Sequence, residues 1–170
     1  TPDDIAAAAR ITGVVDPCTV VTEPFAEWIF AGEFPAGRPA WDRVGAKHVA
    51  NVASYERRKV FLLNGAHSLL AYYGAALGHE TVADAIADTR CRQRVEAWWD
   101  EAGPTIDLPD EQLAGYRTAL LDRFANPRLR HSLAQISSAG LQKLQQRVVP
   151  IARDWLAERR GTPEAAAFII

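Results

Sequence analysis

The sequence lacks several features that mark common classes of protein. It contains no methionine and only two cysteines, Cys18 and Cys91, which are too few and too far apart for a disulfide framework or a zinc-binding CxxC pair. It has no apolar run of about 18 residues and no signal-peptide pattern, so we expect a cytoplasmic protein in a reducing compartment. The net charge is −2, and the dispersed basic residues argue against a nucleic-acid partner.

Two further absences bear on cofactors. No Gly-x-Gly-x-x-Gly follows a predicted strand, and alternating strand–helix units are nearly missing, so we expect no dinucleotide-binding fold within these residues. No cluster has metal-ligand spacing, so we expect no metal.

The chain begins Thr1-Pro2 and ends on the apolar residues Phe168-Ile169-Ile170, from which we expect it to be a portion of a longer polypeptide.

The stretch from Ser54 to Gly78 is the longest apolar segment, and it predicts one long helix. Ser54 can cap its start, Glu56 suits its first turn, and Gly78 favours its end. Apolar residues cover all of its sides, which indicates a buried central helix. Polar groups inside such a helix are costly unless they are paired or used.

Around this helix the sequence predicts a mainly α, multi-helical bundle with a small β ribbon near the N-terminus. Apolar periodicity and capping signals predict further helices at 3–11, 80–86, 88–102, 109–124, 132–138 and 141–149, with a new start at Pro150. Val20–Thr22 and Trp28–Phe30 are rich in β-forming residues and predict an antiparallel pair, with His48–Val52 as a weaker third strand.

Three polar residues of the central helix, Lys59, Asn64 and His67, lie on one arc: Asn64 is about 60° and Lys59 about 80° from His67 at ~100° per residue. Asn and neutral His can donate hydrogen bonds to a developing alkoxide, and a buried neutral Lys can exchange the hydroxyl proton. This suits alcohol–ketone chemistry. Each residue also has a structural interpretation, with His67 as a satisfied core histidine and Lys59 as the ion-pair partner of Glu56.

Four sequence blocks accompany this triplet, TEPFAEW at 22–28, FPAGRPAW at 34–41, SYERRKVFLLNGAHSLLAYYGAALGHETVADAI at 54–86 and RFANPRLRHSLAQI at 123–136. In order and spacing they resemble the C-terminal domain of the mannitol dehydrogenase family, the long-chain, metal-independent polyol dehydrogenases that include mannitol 2-dehydrogenase and the fructuronate and tagaturonate reductases. The resemblance implies that residues 1–170 are one substrate-binding and catalytic domain. It also implies that the catalytic residues are Lys59, Asn64 and His67, with the lysine as general acid/base.

The resemblance further implies a polyol or sugar acid as substrate and NAD or NADP as cofactor, bound mainly by an N-terminal Rossmann domain that this chain does not contain. This chain alone is then expected to be inactive. Glu56 is a candidate proton relay, and Arg38, in a turn-rich loop, is a candidate contact for the cofactor.

The substrate is less defined, because 139–147 reads AGLQKLQQR where many members have Asp-Gly-Ser-x-Lys-x-Pro-x-Arg. A hexonate needs a cation for its carboxylate; Arg130, His131 and Lys143 are the candidates, and Arg147 persists from the family pattern. Two other hypotheses stay open: a helical domain of a hydroxyacid dehydrogenase, which the TEPF and PAGRP blocks argue against, and a helical interaction module without chemistry.

Overall fold

The computed structural model describes residues 1–23, 25–158 and 160–170; Pro24, which belongs to the TEPFAEW block, lies outside them. The α-helical segments in this part of the chain are α1 (Pro2–Thr12), α2 (Ala53–Arg58), α3 (Ala66–Leu69), α4 (Val82–Ala87), α5 (Thr89–Ala102), α6 (Asp110–Phe124), α7 (Leu133–Ser137), α8 (Gly140–Arg147), α9 (Val149–Ala157) and α10 (Glu164–Ile169). The mainly α architecture is confirmed. No helix in the described residues is both long and apolar enough to cross a lipid bilayer.

The central helix runs without interruption from residue 53 to residue 76, close to the predicted bounds. α2 and α3 are its α-helical parts, and the segments Lys59–Gly65 and Leu70–Gly74 are π-helical. π-Helical turns are wider than α-helical ones, and the sequence did not predict them. Leu62, Leu69 and Leu70 of this helix are almost fully buried, so the helix forms the axis of the bundle.

The core is built by packing apolar stripes of neighbouring helices against the central helix. On α5 and α6 the predicted helical spacing is confirmed, because the residues on one face of each helix are buried: Cys91, Val95, Trp98 and Ala102 on α5, and Leu113, Tyr116, Leu120 and Phe124 on α6. Helix starts follow local signals: Thr81 forms a capping box with Asp84 before α4, and Asp88 caps α5. α7 and α8 then pack against the two π-helical segments.

The predicted antiparallel pair of Val20–Thr22 with Trp28–Phe30 is wrong. In the described residues the sheet consists of β1 (Ile29–Phe30) and β2 (Lys47–His48), which pair in parallel with Ile29 opposite Lys47. Val20 and Val21 are instead exposed. β-propensity measures how well a side chain fits a packed, half-buried surface, and the aromatic neighbours that form such a surface, Phe34 and Trp41, lie beside Phe30.

Candidate active site on the central helix

The π-helical segment Lys59–Gly65 changes the spacing of the candidate triplet. An i→i+5 hydrogen-bond repeat winds the chain more loosely than an α-helix and brings residues five apart nearer to one side, and Lys59 and Asn64, five apart, both lie within this segment. Regular α-helical geometry would separate these two residues by about 140°. The widened turn therefore brings Lys59 and Asn64 towards the same face, and His67 follows in α3.

Two buried indoles contact this segment. Trp98 Nε1 donates to the carbonyl of Phe61 at 2.8 Å, and Trp99 Nε1 donates to the carbonyl of Leu62 at 2.8 Å. A Cβ on Gly65 would lie 2.6 Å from Trp98 Nε1, so the glycine is what allows the indole to approach. Both tryptophans therefore do more than pack in the core, because their N–H groups also bind the central helix.

The surroundings of His67 favour its neutral form. Its ring lies against Phe124, with centroids 4.9 Å apart, and edge-on to His131 at 5.9 Å. Burial, followed by the positive charges of His131, Arg147 and Arg123, lowers the pKa of His67 to about 4. The imidazole is therefore neutral at pH 7. Its Nε2 is buried and has no hydrogen-bond partner within the described residues.

Asn64 is half-buried and its backbone is tied to α8. Its carbonyl accepts hydrogen bonds from Arg147 Nη1 and from Ser68 Oγ, each at 3.2 Å, and Arg147 Nη1 also donates to Ser68 Oγ at 3.1 Å. Burial lowers the pKa of Arg147, which nevertheless stays a cation at neutral pH. Arg147 therefore binds the central helix next to the candidate site.

An open cleft of about 340 Å³ brings several of the predicted site residues together. This volume lies in the range of small-molecule sites. Its lining comprises Asn64, His67, His131, Ser132, Gln135, Ile136, Lys143 and Arg147. Lys143 Nζ donates to the carbonyl of Ile136 at 2.7 Å, which leaves two of its ammonium hydrogens for a ligand. None of these lining residues carries a negative charge.

The other predicted site residues lie outside this cleft. Lys59, Glu56 and Arg130 are exposed, and none of them lines either of the two cavities beside His67. Lys59 and Glu56, both described, form no ion pair with each other. Arg38 sits over the Phe30 ring at 5.4 Å and pairs with Asp42 at 3.5 Å, within the N-terminal aromatic cluster.

One ion pair beside His67 was not predicted. Glu23 accepts two hydrogen bonds from Arg123, at 2.7 Å from Nε and 2.9 Å from Nη2. The Arg123 guanidinium holds the pKa of the Glu23 carboxyl below its usual value. Both residues line a small cavity of about 20 Å³ together with His67 and Phe124, large enough for one water molecule. The sequence did offer a signal for this pair, because Glu23 and Arg123 are opposite charges in two of the four sequence blocks that accompany the triplet.

Comparisons with known proteins place this chain beside one family of dehydrogenases. The family model described as "Mannitol dehydrogenase C-terminal domain" matches residues 51–170. The D-mannonate oxidoreductase of Escherichia coli is 43% identical over 155 residues, which cover 90% of this chain and 32% of that protein. The chain thus spans about a third of the length of the curated relatives it matches.

Solved structures of two polyol dehydrogenases align with nearly the whole of this chain. A Pseudomonas fluorescens mannitol 2-dehydrogenase, in a ternary complex with NAD and D-mannitol, aligns with a TM-score of 0.82 and 31% identity, covering 99% of this chain and 35% of that one. A D-sorbitol dehydrogenase in substrate-free form aligns with a TM-score of 0.84 and 27% identity, covering 95% and 34%.

Proposed function

This chain belongs to the mannitol dehydrogenase family, and from that premise we propose that it is the substrate-binding and catalytic domain of an NAD- or NADP-dependent oxidoreductase. The reaction interconverts a polyol or sugar acid and its 2-ketose. Lys59, Asn64 and His67 carry the chemistry. The two alternatives from the sequence, a hydroxyacid dehydrogenase domain and a non-catalytic module, receive no support from the family match.

The observation that carries the proposal is the state of His67. A buried ring nitrogen without a partner costs free energy, and His67, unlike the buried Nε1 of Trp155, also lines the cleft, where a bound oxygen would complete its hydrogen bonding. The neutral imidazole can donate one hydrogen bond to an oxygen in the cleft, and the half-buried Asn64 side chain lies on the same helix to donate a second. Two donors on one oxygen stabilise the negative charge that develops as the alcohol loses its proton.

Lys59 supplies the general base. In oxidation its neutral amine accepts the hydroxyl proton while the carbinol hydrogen leaves as hydride, and in ketose reduction its ammonium returns that proton. Lys59 is exposed on this chain, so closure of a second domain over it would exclude water and favour the neutral amine. Glu56, one turn earlier, is proposed to relay the proton to solvent.

The nicotinamide cofactor supplies the hydride acceptor when bound, but the described residues do not offer it a complete site. Their sheet has two strands of two residues each, with no strand–loop–helix unit to hold a pyrophosphate. We therefore assign cofactor binding mainly to an N-terminal Rossmann domain of the same polypeptide. Arg38 remains a candidate contact to the cofactor from this side.

Exposed apolar residues support a contact with such a domain. Val14, Val15, Val20 and Val21 are each more than half exposed, and they lie in the segment that connects α1 to β1. Relatives are about three times as long as this chain, so most of their length is available to cover this surface. In this arrangement residues 1–170 form a single C-terminal domain.

The charge of the cleft supports a substrate with a carboxylate. Lys143 and Arg147 contribute cationic side chains, and His131 adds an imidazole at the rim. Arg147 is already bound to the helix backbone, so Lys143 is the better candidate for direct contact. Arg130, exposed beside His131, is a third candidate that a closing domain would bring to the substrate.

The proposal is tested with the full-length polypeptide and a panel of hexitols and hexonates, followed through nicotinamide absorbance. We expect turnover of at least one of them, and a loss of at least about 100-fold in kcat for Lys59→Ala. Lys47→Ala, which removes another exposed lysine, should leave kcat unchanged. Normal turnover by Lys59→Ala would remove the lysine from the mechanism.

Lys143→Met separates the two substrate classes. If the substrate is a hexonate, this substitution raises its KM by about 10-fold or more, because a charge-assisted hydrogen bond is lost. The KM for a hexitol should change much less. Equal effects on both substrates would contradict a carboxylate contact at Lys143.

A further inference from the structure

We propose that Trp98 and Trp99 are positioning residues for the reaction, because their indole N–H groups hold the widened turn that aligns Lys59 with Asn64. This inference rests on the proposed function, since it assigns the tryptophans a role through the catalytic lysine and asparagine. Neither indole touches the cleft. Their effect is transmitted through the two carbonyls that they bind.

The contact geometry singles out the turn between the two catalytic residues. The accepting carbonyls belong to Phe61 and Leu62, which lie in sequence between Lys59 and Asn64. Both indoles come from α5, 37 residues further along the chain, and both side chains are at most 1% exposed. Consecutive tryptophans on one helix therefore bind consecutive carbonyls on another.

A π-helical turn needs such support. Its i→i+5 bonds are rare, and most proteins contain π-helix only as short insertions, often at functional sites. In the segment Lys59–Gly65 side chains reach three carbonyls, two through the indoles and the third, of Asn64, through Ser68 and Arg147. The second π-helical segment, Leu70–Gly74, receives no side-chain hydrogen bond on its carbonyls from any described residue. Side-chain hydrogen bonds to helix carbonyls are therefore concentrated in the π-helical segment that contains Lys59 and Asn64.

Core packing alone does not account for the indole hydrogen bonds. Trp155 Nε1 is also buried, yet it has no partner among the described residues, so burial in this bundle does not by itself bring an indole to an acceptor. The close approach of Trp98 also requires the absence of a side chain at Gly65. The hydrogen bond from Trp98 to the π-helical turn therefore depends on both the indole N–H and the glycine at position 65.

The test uses the full-length enzyme with Trp98→Phe and Trp99→Phe, which keep an aromatic ring and delete the donor. Trp155→Phe is the matched control, because it removes an indole whose N–H donates to none of the described residues. Displacement of reacting groups by about 1 Å costs up to 10²-fold in rate. We therefore expect kcat to fall by about 10- to 100-fold in either variant, with the KM for substrate within about threefold of wild type, and we expect the control to retain kcat within about twofold.

A double-mutant cycle with Lys59→Ala distinguishes positioning from general loss of structure. If the indoles act through Lys59, Trp98→Phe lowers kcat much less in the Lys59→Ala background than in wild type. Equal effects in both backgrounds would overturn the proposal, as would wild-type kcat in both tryptophan variants. Normal turnover by Lys59→Ala itself would instead refute the proposed function, so the two failures are distinguishable.

A second replacement covers the case in which the phenylalanine variants do not fold. Benzothienylalanine at position 98 has the size and shape of tryptophan with sulfur in place of N–H. Folded enzyme with this residue should show the same loss of kcat and a larger isotope effect on kcat with substrate deuterated at the carbinol carbon, because hydride transfer becomes more limiting. Unchanged kcat and isotope effect would overturn the proposal.

Discussion

Titration of His67 should control how the stability of this chain depends on pH. Burial among Phe124, His131 and the nearby arginines lowers the pKa of His67 from 6.5 to about 4. Between these two pH values the unfolded chain binds a proton at His67 that the folded chain excludes. The free energy of unfolding therefore falls as pH drops through this window, by about 3 kcal/mol at roughly 1.4 kcal/mol for each pH unit.

The assay is urea unfolding of the chain at several pH values from 7 to 4, in parallel with His67→Asn. The variant has no group that titrates in this window at position 67, so its stability should decline less, and the difference between the two curves isolates the contribution of His67. The pKa of Glu23 is also lowered, so its contribution to the free energy of unfolding is lost as pH falls further. Because the original chain and the His67→Asn variant both contain Glu23, this loss cancels in the comparison.

A direct titration by NMR complements the unfolding curves, because the chain has four histidines and their ring signals can be followed separately. One imidazole should remain neutral down to about pH 4. An ordinary midpoint near 6.5 for all four rings, or identical pH dependence of stability in the chain and in His67→Asn, would refute the reasoning that His67 is a desolvated neutral donor.

Three further predictions concern the same helix, its support and the reaction. Gly65→Ala should lower the free energy of unfolding by about 1–3 kcal/mol, because a Cβ lies 2.6 Å from Trp98 Nε1; the matched Gly115→Ala, with open space around its Cβ, should raise it by about 0.5–1 kcal/mol in a thermal melt. Glu101→Gln should cost about 1–3 kcal/mol by the same assay, since the carboxylate accepts the N–H groups of Ala165 and Ala166 in the first turn of α10, and an equal effect of Glu96→Gln, which removes a half-exposed carboxylate paired with Arg92, would contradict this. Chelators should leave turnover of the full-length enzyme intact because its proposed base is a lysine amine, and loss restored by a divalent metal would contradict that mechanism.

The helices could be predicted from the sequence because their signals are local. Thr81 forms a capping box with Asp84, three positions further on, and the apolar stripes of α5 and α6 each repeat within one helix. The strand pairing depended instead on distant partners. β1 is completed by Lys47–His48, and nothing within Val20–Thr22 reveals that no neighbouring strand will pair with it.

The candidate site divides in the same way. Lys59, Asn64 and His67 lie in one stretch of sequence and the family resemblance implied their roles, and two of the three candidate substrate contacts, His131 and Lys143, line the cleft. The widened turn was missed because its supporting indoles come from 37 residues away. The ion pair beside His67 was missed because its two members are 100 residues apart in sequence.

Chemical rescue of Lys59→Ala tests the central claim, that the lysine amine is the general base, most directly. Ethylamine added to the full-length variant at constant pH and ionic strength should raise kcat in proportion to the concentration of its free base, from a rate at least about 100-fold below wild type. Asn64→Ala, which lacks a hydrogen-bond donor and retains the base, should not respond. A Lys59→Ala enzyme that turns over normally, or one that is slow and does not respond to any primary amine while Asn64→Ala does, would contradict the account.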